Sequence, residues 1–370
     1  MKLTRYPYLV QREILQNIDY QNLFLLSFAS LKMKQLIKST QNDRFKNISS
    51  IRYTCDRNRR PIVDILFKNG RKEDLLAITK RQKTGYYYFK PEIEFFQINV
   101  SGKLIDFTSS NIYVNYIRGY NGHIVATFNR DESTAVIESI HNYILNFFGD
   151  SVEYYWKTTD YGINIPHLQN VTACMRMWYI NGGTANLDNF FSATPDLKSI
   201  SIKSSTKKQL VRSDSKFYQA ECIDTVQEYI DFPAVLLHFQ GKQVFITCKR
   251  CEMFHLINFV KRWKSGKAFQ KLEQLSFKVF GGISKDKVLK AIGAKHIDAT
   301  KTPPTHTVPT KVEWYDEENV DELTKAGPIT SHRYVVRKAD KHVASVLIQE
   351  KTFRFGVWDM TEGEFLGMME

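Results

Sequence analysis

Cysteines are few in this sequence and odd in number. The five of them are spread over 370 residues, whereas small secreted domains are held together by many paired cysteines. This scarcity argues against a disulfide scaffold and indicates a reducing compartment. We therefore expect an intracellular protein of the cytoplasm, the nucleus or both.

Long hydrophobic runs are also missing. The N-terminus lacks the apolar core and the small-residue cleavage site of a signal peptide. The most continuous apolar stretch near it, residues 23–31, is interrupted by Ser27 and Ser30 and falls short of the ~20 residues that span a bilayer. No membrane partner is expected.

Motifs that carry common chemistry are absent as well. The sequence has no phosphate-binding loop, dinucleotide fingerprint, serine-hydrolase elbow or zinc-protease motif. Cys248, Cys251 and His255 form the most metal-like group, but zinc takes four ligands, and Cys222 and His238 stand at no recognised spacing from them. The sequence therefore favours buried cysteines over a metal site. It predicts no catalytic residues, no cofactor and no enzyme activity.

Acidic residues are in deficit. The chain has 52 lysines and arginines against 39 aspartates and glutamates, which leaves a net charge of +13. Such an excess indicates an acidic partner. No nucleic-acid-binding motif accompanies the charge, so an acidic protein is the preferred interpretation and nucleic-acid binding the alternative. The basic residues form three clusters: Arg57/Arg59/Arg60, Lys203/Lys207/Lys208/Arg212 and Lys249/Arg250/Lys261/Arg262/Lys264/Lys267.

The first 45 residues contain no glycine and follow a helical hydrophobic pattern. Val10, Ile14 and Ile18 recur at intervals of four after Pro7, with Leu9 beside them, which predicts one apolar stripe along a first helix. That stripe is more than a small helical unit needs for its own core. We expect part of it to anchor in a partner's groove.

Two further helices are expected before residue 45. Asp19 and Ser30 supply oxygens that cap the first turns of these helices. Leu23, Leu26 and Leu36 are expected on the core side. Residues 38–50 are polar and are expected to form a connector.

Residues 46–135 have the pattern of β-strands. Residues 62–67 and 75–79 flank Asn69-Gly70, a pair that favours the tight turn of a hairpin. Aromatic or β-branched runs follow, and we expect them to form a small antiparallel sheet. These runs lie at 86–89, 94–100, 103–108, 112–118 and 123–128.

Residues 136–295 alternate between helical and strand patterns. A helix is predicted to end at Gly149, and a Leu-x-x-aliphatic phrase then recurs with leading leucines Leu168, Leu197 and Leu272. The first two copies are 29 residues apart, which is a spacing of leucine-rich repeats. We interpret the region as a few stacked strand-and-helix units. Ordinary buried strands remain the alternative.

The last part of the chain divides in two. Residues 296–332 hold four prolines and an acidic run at 316–322, which indicates a loop. Residues 333–370 are expected to form two or three closing strands. A capping box, Thr361 with Glu364, is expected to start a final helical turn.

The N-terminal residues resemble an F-box. Residues 7–19 carry the Glu13-Ile14-Leu15 signature of its first helix, and they are followed by the leucine-rich 23–30 and by the basic 34–37. The sequence departs from many F-boxes in the last helix, where Met33 stands in place of a tryptophan.

Most of the rest of the chain is similar to the type 2 F-box-associated domain of the expanded nematode-type F-box families. The matching stretches are residues 251–266, 272–275, 337–340 and 353–358. The resemblance covers about 1–45 for the F-box and much of 150–365 for the associated domain.

The resemblance implies a substrate-recognition subunit of an SCF-type ubiquitin ligase. The F-box would dock on a Skp-type adaptor bound to a cullin scaffold, and the remaining chain would hold a protein substrate, preferably an acidic one. The fold class expected is α+β, with a three-helix F-box and a mixed α/β domain of antiparallel strands and leucine-rich-repeat-like units. The adaptor-binding residues expected are Pro7, Leu9, Val10, Ile14, Leu15 and Ile18.

Overall fold

The computed structural model describes residues 3–55, 61–81, 94–108, 124–129, 132–162, 164–180, 184–205, 211–227, 234–249, 252–308 and 327–369. The chain divides into two compact units, Met1–Ala173 and Cys174–Glu370. Each combines helices with a sheet of parallel and antiparallel strands, so the protein is mixed α/β. Within the described ranges, no helix is both long and apolar enough to cross a membrane.

Four helices open the first unit: α1 (Tyr8–Gln16), α2 (Tyr20–Leu26), α3 (Leu31–Thr40) and α4 (Asn42–Phe45). The predicted start of each of the first three is confirmed. Pro7 precedes α1, the Asp19 side chain accepts a hydrogen bond from the Asn22 backbone, and Ser30 accepts one from Met33.

The connector expected for residues 38–50 is wrong. Helix α3 continues to Thr40, α4 follows it, and strand β1 begins at Ile48. The stretch is polar overall, yet Thr40, Gln41 and Phe45 are all buried in the unit.

Among the described residues of the first unit, seven strands form the sheet: β1 (Ile48–Cys55), β2 (Pro61–Phe67), β3 (Lys72–Lys80), β4 (Phe96–Val100), β5 (Lys103–Thr108), β6 (Val125–Phe128) and β7 (Glu153–Thr158). Their spatial order is β7-β1-β2-β3-β6-β5-β4. The predicted β2–β3 hairpin is confirmed, and Gly70 has the positive φ of +84° that its turn requires. The strands expected at 86–89 and 112–118 lie outside the described residues.

The purely antiparallel sheet expected for this region is wrong. Strand β1 pairs in parallel with β7, and β3 pairs in parallel with β6. Between β6 and β7 the chain forms helix α5 (Ser133–Phe148), which ends at Gly149 as predicted. A helical crossover of this kind carries the chain back so that strands can pair in parallel.

The N-terminal helices share one core with α5. Tyr143 of α5 stacks on Phe28 at 4.1 Å between ring centres, and its hydroxyl hydrogen-bonds to Ser27 at 2.8 Å. Phe45 of α4 contacts Phe147 and Phe148 at 5.4 and 5.1 Å. The end of α2 and helix α4 therefore gain stability from the same apolar core as α5.

The second unit contains strands β8 (Val171–Ile180), which starts just before it, β9 (Leu197–Ser204), β10 (Cys222–Gln227), β11 (Gln243–Cys248) and β12 (Gln274–Val279). Strands β9 to β12 are neighbours in chain order and all parallel. The segments between them contain a 3-10 turn (Lys216–Gln219) and helices α7 (Val235–His238) and α8 (Met253–Lys264), while α6 (Thr184–Ala193) precedes β9.

In the part of the chain that the structure describes, the unit closes with helix α9 (Lys285–Ile292), six strands and helix α10 (Glu362–Gly367). The loop expected at 296–332 is partly wrong, since short strands lie at both ends of it; residues 309–326 lie outside the described part. The Thr361/Glu364 capping box is confirmed at the start of α10. The strands are β13 (Lys295–His296), β14 (Thr305–His306), β15 (Ile329–Thr330), β16 (Arg333–Val336), β17 (His342–Gln349) and β18 (Thr352–Thr361).

Candidate protein-docking surface on the first helix

Large apolar side chains are exposed in an unbroken stretch at the start of α1. Tyr6, Tyr8, Leu9 and Val10 have 42, 53, 74 and 41% of their surface exposed, and Pro7 between them is exposed as well. Exposure of such a cluster to water is unfavourable, and burial against a partner would remove this cost. We call residues 6–10 the α1 patch.

Local structure holds the α1 patch in place. The Gln11 side chain, itself buried, donates a hydrogen bond of 2.6 Å to the Tyr6 backbone carbonyl. Proline suits the position before the first helical turn because its missing N–H would have no helical partner there. The helix therefore presents its first turn to the surface and buries its opposite side, through Gln11 and Leu15.

Arg44 fixes the other end of α1. Its guanidinium donates to the backbone carbonyls of Leu15, Gln16 and Ile18 at 3.0–3.2 Å, and it lies 4.6 Å above the ring of Tyr20. Carbonyl groups at a helix end have no partner within the helix, so this contact satisfies them with a cation that also suits the helix dipole. No pattern in the sequence indicates this role of Arg44.

The six predicted adaptor-binding residues fall into three groups. Pro7, Leu9 and Val10 lie in the α1 patch. Ile14 and Ile18 are half-buried, and Ile18 lies beyond α1, which ends at Gln16. Leu15 is fully buried in the unit's core. The single stripe predicted from residues 10, 14 and 18 therefore does not form along one helix, because α1 ends two residues before Ile18.

Sequence reasoning missed three exposed apolar residues near this stretch of chain. Tyr6 and Tyr8 flank Pro7, and Leu31, the first residue of α3, is 71% exposed. Helices α1 and α3 are in contact. The aromatic residues on both sides of Pro7 were the available signal.

A groove lies beside α2 within the same unit. Its apolar lining comes from Leu25, Leu26 and Phe28 of the α2 region, with Ile18 and with Ile98 of β4, and its volume is about 680 Å³. Leu26, expected on the core side, is half-buried and lines this groove, whereas Leu23 is fully buried as expected.

Basic side chains of α3 are directed onto α5. The Lys34 ammonium lies 3.7 Å from the centre of the Tyr143 ring, and burial lowers the pKa of Lys34 to about 8, with a smaller effect from Lys38. Lys38 donates to the Asn146 backbone carbonyl at 2.7 Å. These two lysines therefore stabilise helix packing.

The residues considered for metal binding or nucleic-acid binding are only partly described. Cys248 is fully buried, and burial lowers the pKa of the half-buried His255. Among the described residues, no three metal-ligating side chains come together. Several basic residues serve the fold, since Arg262 and Lys264 donate to the backbone carbonyls of Leu237 and Ile292 at 2.9 and 2.7 Å. Seven of the candidates lie outside the described residues: Arg57, Arg59, Arg60, Lys207, Lys208, Arg250 and Cys251.

Comparison with known proteins finds no match to this chain among family models, curated proteins or solved structures.

Proposed function

We propose that this protein is the substrate-recognition subunit of an SCF-type ubiquitin ligase, with residues 1–45 acting as an F-box that docks on a Skp-type adaptor. The observation that carries the proposal is the α1 patch. Four large apolar side chains are exposed within five residues, on a helix whose sequence resembles the F-box signature. Aromatic and aliphatic anchors of this kind supply most of the affinity at protein interfaces.

The contacts of α1 support a rigid docking element. Arg44 binds the carbonyls at the C-terminal end of α1, and Gln11 binds the Tyr6 carbonyl in the turn that precedes the helix. A preorganised surface loses little conformational entropy on binding. We propose Pro7, Leu9 and Val10, with Tyr6 and Tyr8, as the adaptor contacts, and we assign the fully buried Leu15 to the core.

The parallel strands β9 to β12 support a recognition role for the second unit. They follow one another in chain order with helical segments between them, as stacked strand-and-helix repeats do. We propose that this unit holds the protein substrate. The chain then contributes proximity rather than chemistry, because it raises the effective concentration of a substrate lysine near ubiquitin on the ligase.

The test is a titration of the purified full chain with a Skp-type adaptor. Leu9→Asp and Val10→Asp each place a charge in a contact that loses its water, which costs several kcal/mol. We expect each variant to bind at least about 30-fold more weakly, the equivalent of about 2 kcal/mol. The wild-type affinity should change little with salt, because the contact is apolar.

The matched control is Phe254→Asp. Phe254 is 60% exposed on α8 of the second unit. The control variant therefore replaces a similarly exposed apolar side chain by aspartate, at a distant position in the chain. Its affinity for the adaptor should equal that of the wild type. If all three variants are folded and bind the adaptor equally well, the proposed docking surface is wrong.

A further inference from the structure

Strand β4 lies at one end of the sheet of the first unit. It comes last in the spatial order of the strands, and among the described residues it pairs with β5 alone. Its five residues, Phe96–Val100, include no proline and no charged side chain. Proteins usually protect an open sheet edge with such residues, because unpaired backbone groups bind other strands. The outer edge of β4 is therefore left available for pairing.

The β4–β5 turn determines which backbone groups of β4 point outward. Residues 101–102 form a two-residue turn with φ angles of +50° and +91°, which is the type I′ geometry. The residues that flank such a turn, Val100 and Lys103, form a hydrogen-bonded pair, and these pairs alternate along an antiparallel ladder. The N–H and C=O groups of Gln97 and Asn99 therefore point away from β5, toward the open edge.

The side chains of Gln97 and Asn99 are engaged elsewhere. The Gln97 side chain donates a hydrogen bond of 2.9 Å to Asp106, and the Asn99 side chain accepts one of 2.9 Å from the Gly102 N–H. In the described part of the chain, two backbone donors and two backbone acceptors of this edge thus have no strand partner. An added extended strand would satisfy all four, because it presents its own groups at the same spacing of two residues.

The inner face of β4 and β5 is the one that α5 covers. Phe107 of β5 contacts Phe28, which stacks on Tyr143 of α5. Side chains alternate along a strand, so Ile105, two residues before Phe107, lies on this same face. Ile98 of β4 pairs with Ile105 and shares the face with it.

The groove beside α2 runs along the open edge of β4. Ile98 is directed to the inner face, whereas Gln97 and Asn99 are directed to the opposite face. All three residues line the groove, so it lies beside the edge of the strand rather than over one of its faces. A strand added about 4.8 Å from β4 would therefore occupy it. We call it the α2 groove.

The lining of the α2 groove selects the chemistry of its occupant. None of its described lining residues is charged, although a quarter of the chain's residues are. Leu25, Leu26 and Phe28 form the apolar wall on the helical side and are half-buried, with Ile98 on the strand side. A charged side chain that entered here would lose water without gaining a partner. The groove therefore suits an apolar, uncharged segment.

Register determines the sequence pattern of such a segment. A residue that pairs with Ile98 lies on the inner face and enters the α2 groove, and the residues two positions before and after it lie on the same face. The residues between them pair with Gln97 and Asn99 and lie on the opposite face. The expected pattern is therefore apolar side chains at alternate positions, over about five residues, which is the length of β4.

We propose that the open edge of β4 and the α2 groove bind an extended, uncharged segment of another protein, which joins the sheet as an outer strand. Backbone hydrogen bonds to Gln97 and Asn99 supply affinity, and apolar side chains in the groove supply specificity. This interaction is separate from the adaptor contact at the α1 patch and does not depend on it.

The test is selection of peptides from a displayed random 12-residue library by the full-length chain. We expect the selected peptides to share an uncharged core of about five residues with apolar side chains at alternate positions. One selected peptide is then synthesised with a single backbone N-methyl group at each core position in turn. Methylation at every second position should weaken binding at least tenfold, and methylation at the positions between should change it less than threefold. Only every second N–H of an added strand faces β4.

Two pairs of variants test the protein side of the contact. Gln97→Pro removes the outward N–H, which an edge strand tolerates, and its matched control Gln97→Ala keeps that N–H. A selected peptide should bind Gln97→Pro at least tenfold more weakly than Gln97→Ala. Leu25→Asp, which places a charge in the α2 groove, should also lose at least tenfold. Its control is Leu104→Asp, because Leu104 is 65% exposed and pairs with Asn99 on the opposite face, and this variant should stay within threefold of wild type.

Several results would overturn the proposal. These are a library that yields no binder, selected peptides rich in charge or without alternation, and an N-methyl scan without a two-residue period. Equal peptide binding by Gln97→Pro and Gln97→Ala, both folded by circular dichroism, would do the same. So would self-association of the wild-type chain that Gln97→Pro abolishes, measured by light scattering, because it assigns the edge to a second copy of this chain.

Failure of this proposal is distinguishable from failure of the ligase role. Gln97→Pro should bind a Skp-type adaptor normally, and Leu9→Asp should bind the selected peptide normally. Loss of adaptor affinity in Gln97→Pro would assign the edge to the adaptor and overturn the proposal. If adaptor binding is absent while the peptide results hold, strand addition at β4 stands and the ligase role fails.

Discussion

Asp64 makes the stability of the first unit depend on pH. This carboxyl group lies in the middle of β2, 1% exposed, with Arg52 and Asp74 as its register partners on β1 and β3. The Lys72 ammonium is 3.1 Å away. Burial raises the pKa of Asp64 to about 7, the Lys72 charge opposes this, and Asp74 adds to it.

The direction of the pH effect follows from this raised pKa. The folded chain holds a proton on Asp64 up to about pH 7, whereas the unfolded chain releases it near the ordinary value of 3.8. The contribution of protonated Asp64 to stability is therefore fully present below about pH 4. It is lost as pH rises toward 7, at about 1.4 kcal/mol per pH unit. Over roughly three units the loss is about 4 kcal/mol. Asp64→Asn removes this dependence, since an amide does not titrate.

Urea unfolding of wild type and Asp64→Asn at several pH values between 4 and 8 measures the effect. The free energy of unfolding of Asp64→Asn, relative to wild type, should rise by about 4 kcal/mol across this range. Asp43→Asn is the control, because Asp43 is 82% exposed in the same unit, and its profile should run parallel to wild type. Parallel profiles for Asp64→Asn as well would refute a raised pKa at Asp64.

Three further predictions concern stability. Arg44→Ala leaves three carbonyls at the end of α1 without their donor and should lower the free energy of unfolding by about 1–3 kcal/mol, measured by urea denaturation, with no loss if water replaces the guanidinium. Gly241→Ala would place a Cβ 2.0 Å from the Ala220 carbonyl oxygen and should cost about 1–3 kcal/mol or more; an unchanged melting temperature would contradict this close approach. His141 is buried between the Tyr53 hydroxyl and the Gln169 carbonyl, and burial lowers its pKa below 6.5. The contribution of neutral His141 to stability is therefore lost as pH falls below about 6.5. Because glutamine does not titrate, His141→Gln should flatten that part of the curve of unfolding free energy against pH.

Local signals in the sequence predicted helix starts and one hairpin. Asp19 and Ser30 cap their helices through hydrogen bonds to residues three positions later, and Gly149 ends α5. These features depend on neighbouring residues alone, as does the Asn69-Gly70 turn. They could therefore be read without knowledge of the fold.

Long-range pairing could not be predicted in the same way. The parallel partner of β1 is β7, about a hundred residues further along the chain, and no local pattern specifies it. From the sequence, Asp64 resembles a polar residue on the exposed face of a strand. In the sheet it pairs with Asp74 of β3, is buried, and lies within ion-pair distance of Lys72. Burial of this kind depends on the assembled sheet.

The candidate site shows the same division. The exposure of Leu9 and Val10 agrees with a helix that begins after Pro7. The burial of Leu15 and the position of Ile18 outside the helix depend on where α1 ends and on what packs against it. Arg44, which sets that end, acts from 28 residues away and leaves no trace in helical periodicity.

The most direct test of the central proposal is assembly of the wild-type chain with a purified Skp-type adaptor and cullin, followed by size-exclusion chromatography in about 0.5 M salt, where surface charge is largely screened. The account predicts that the folded chain elutes with both partners in one complex, and that Leu9→Asp elutes apart from them. Separate elution of the folded wild-type chain would contradict it.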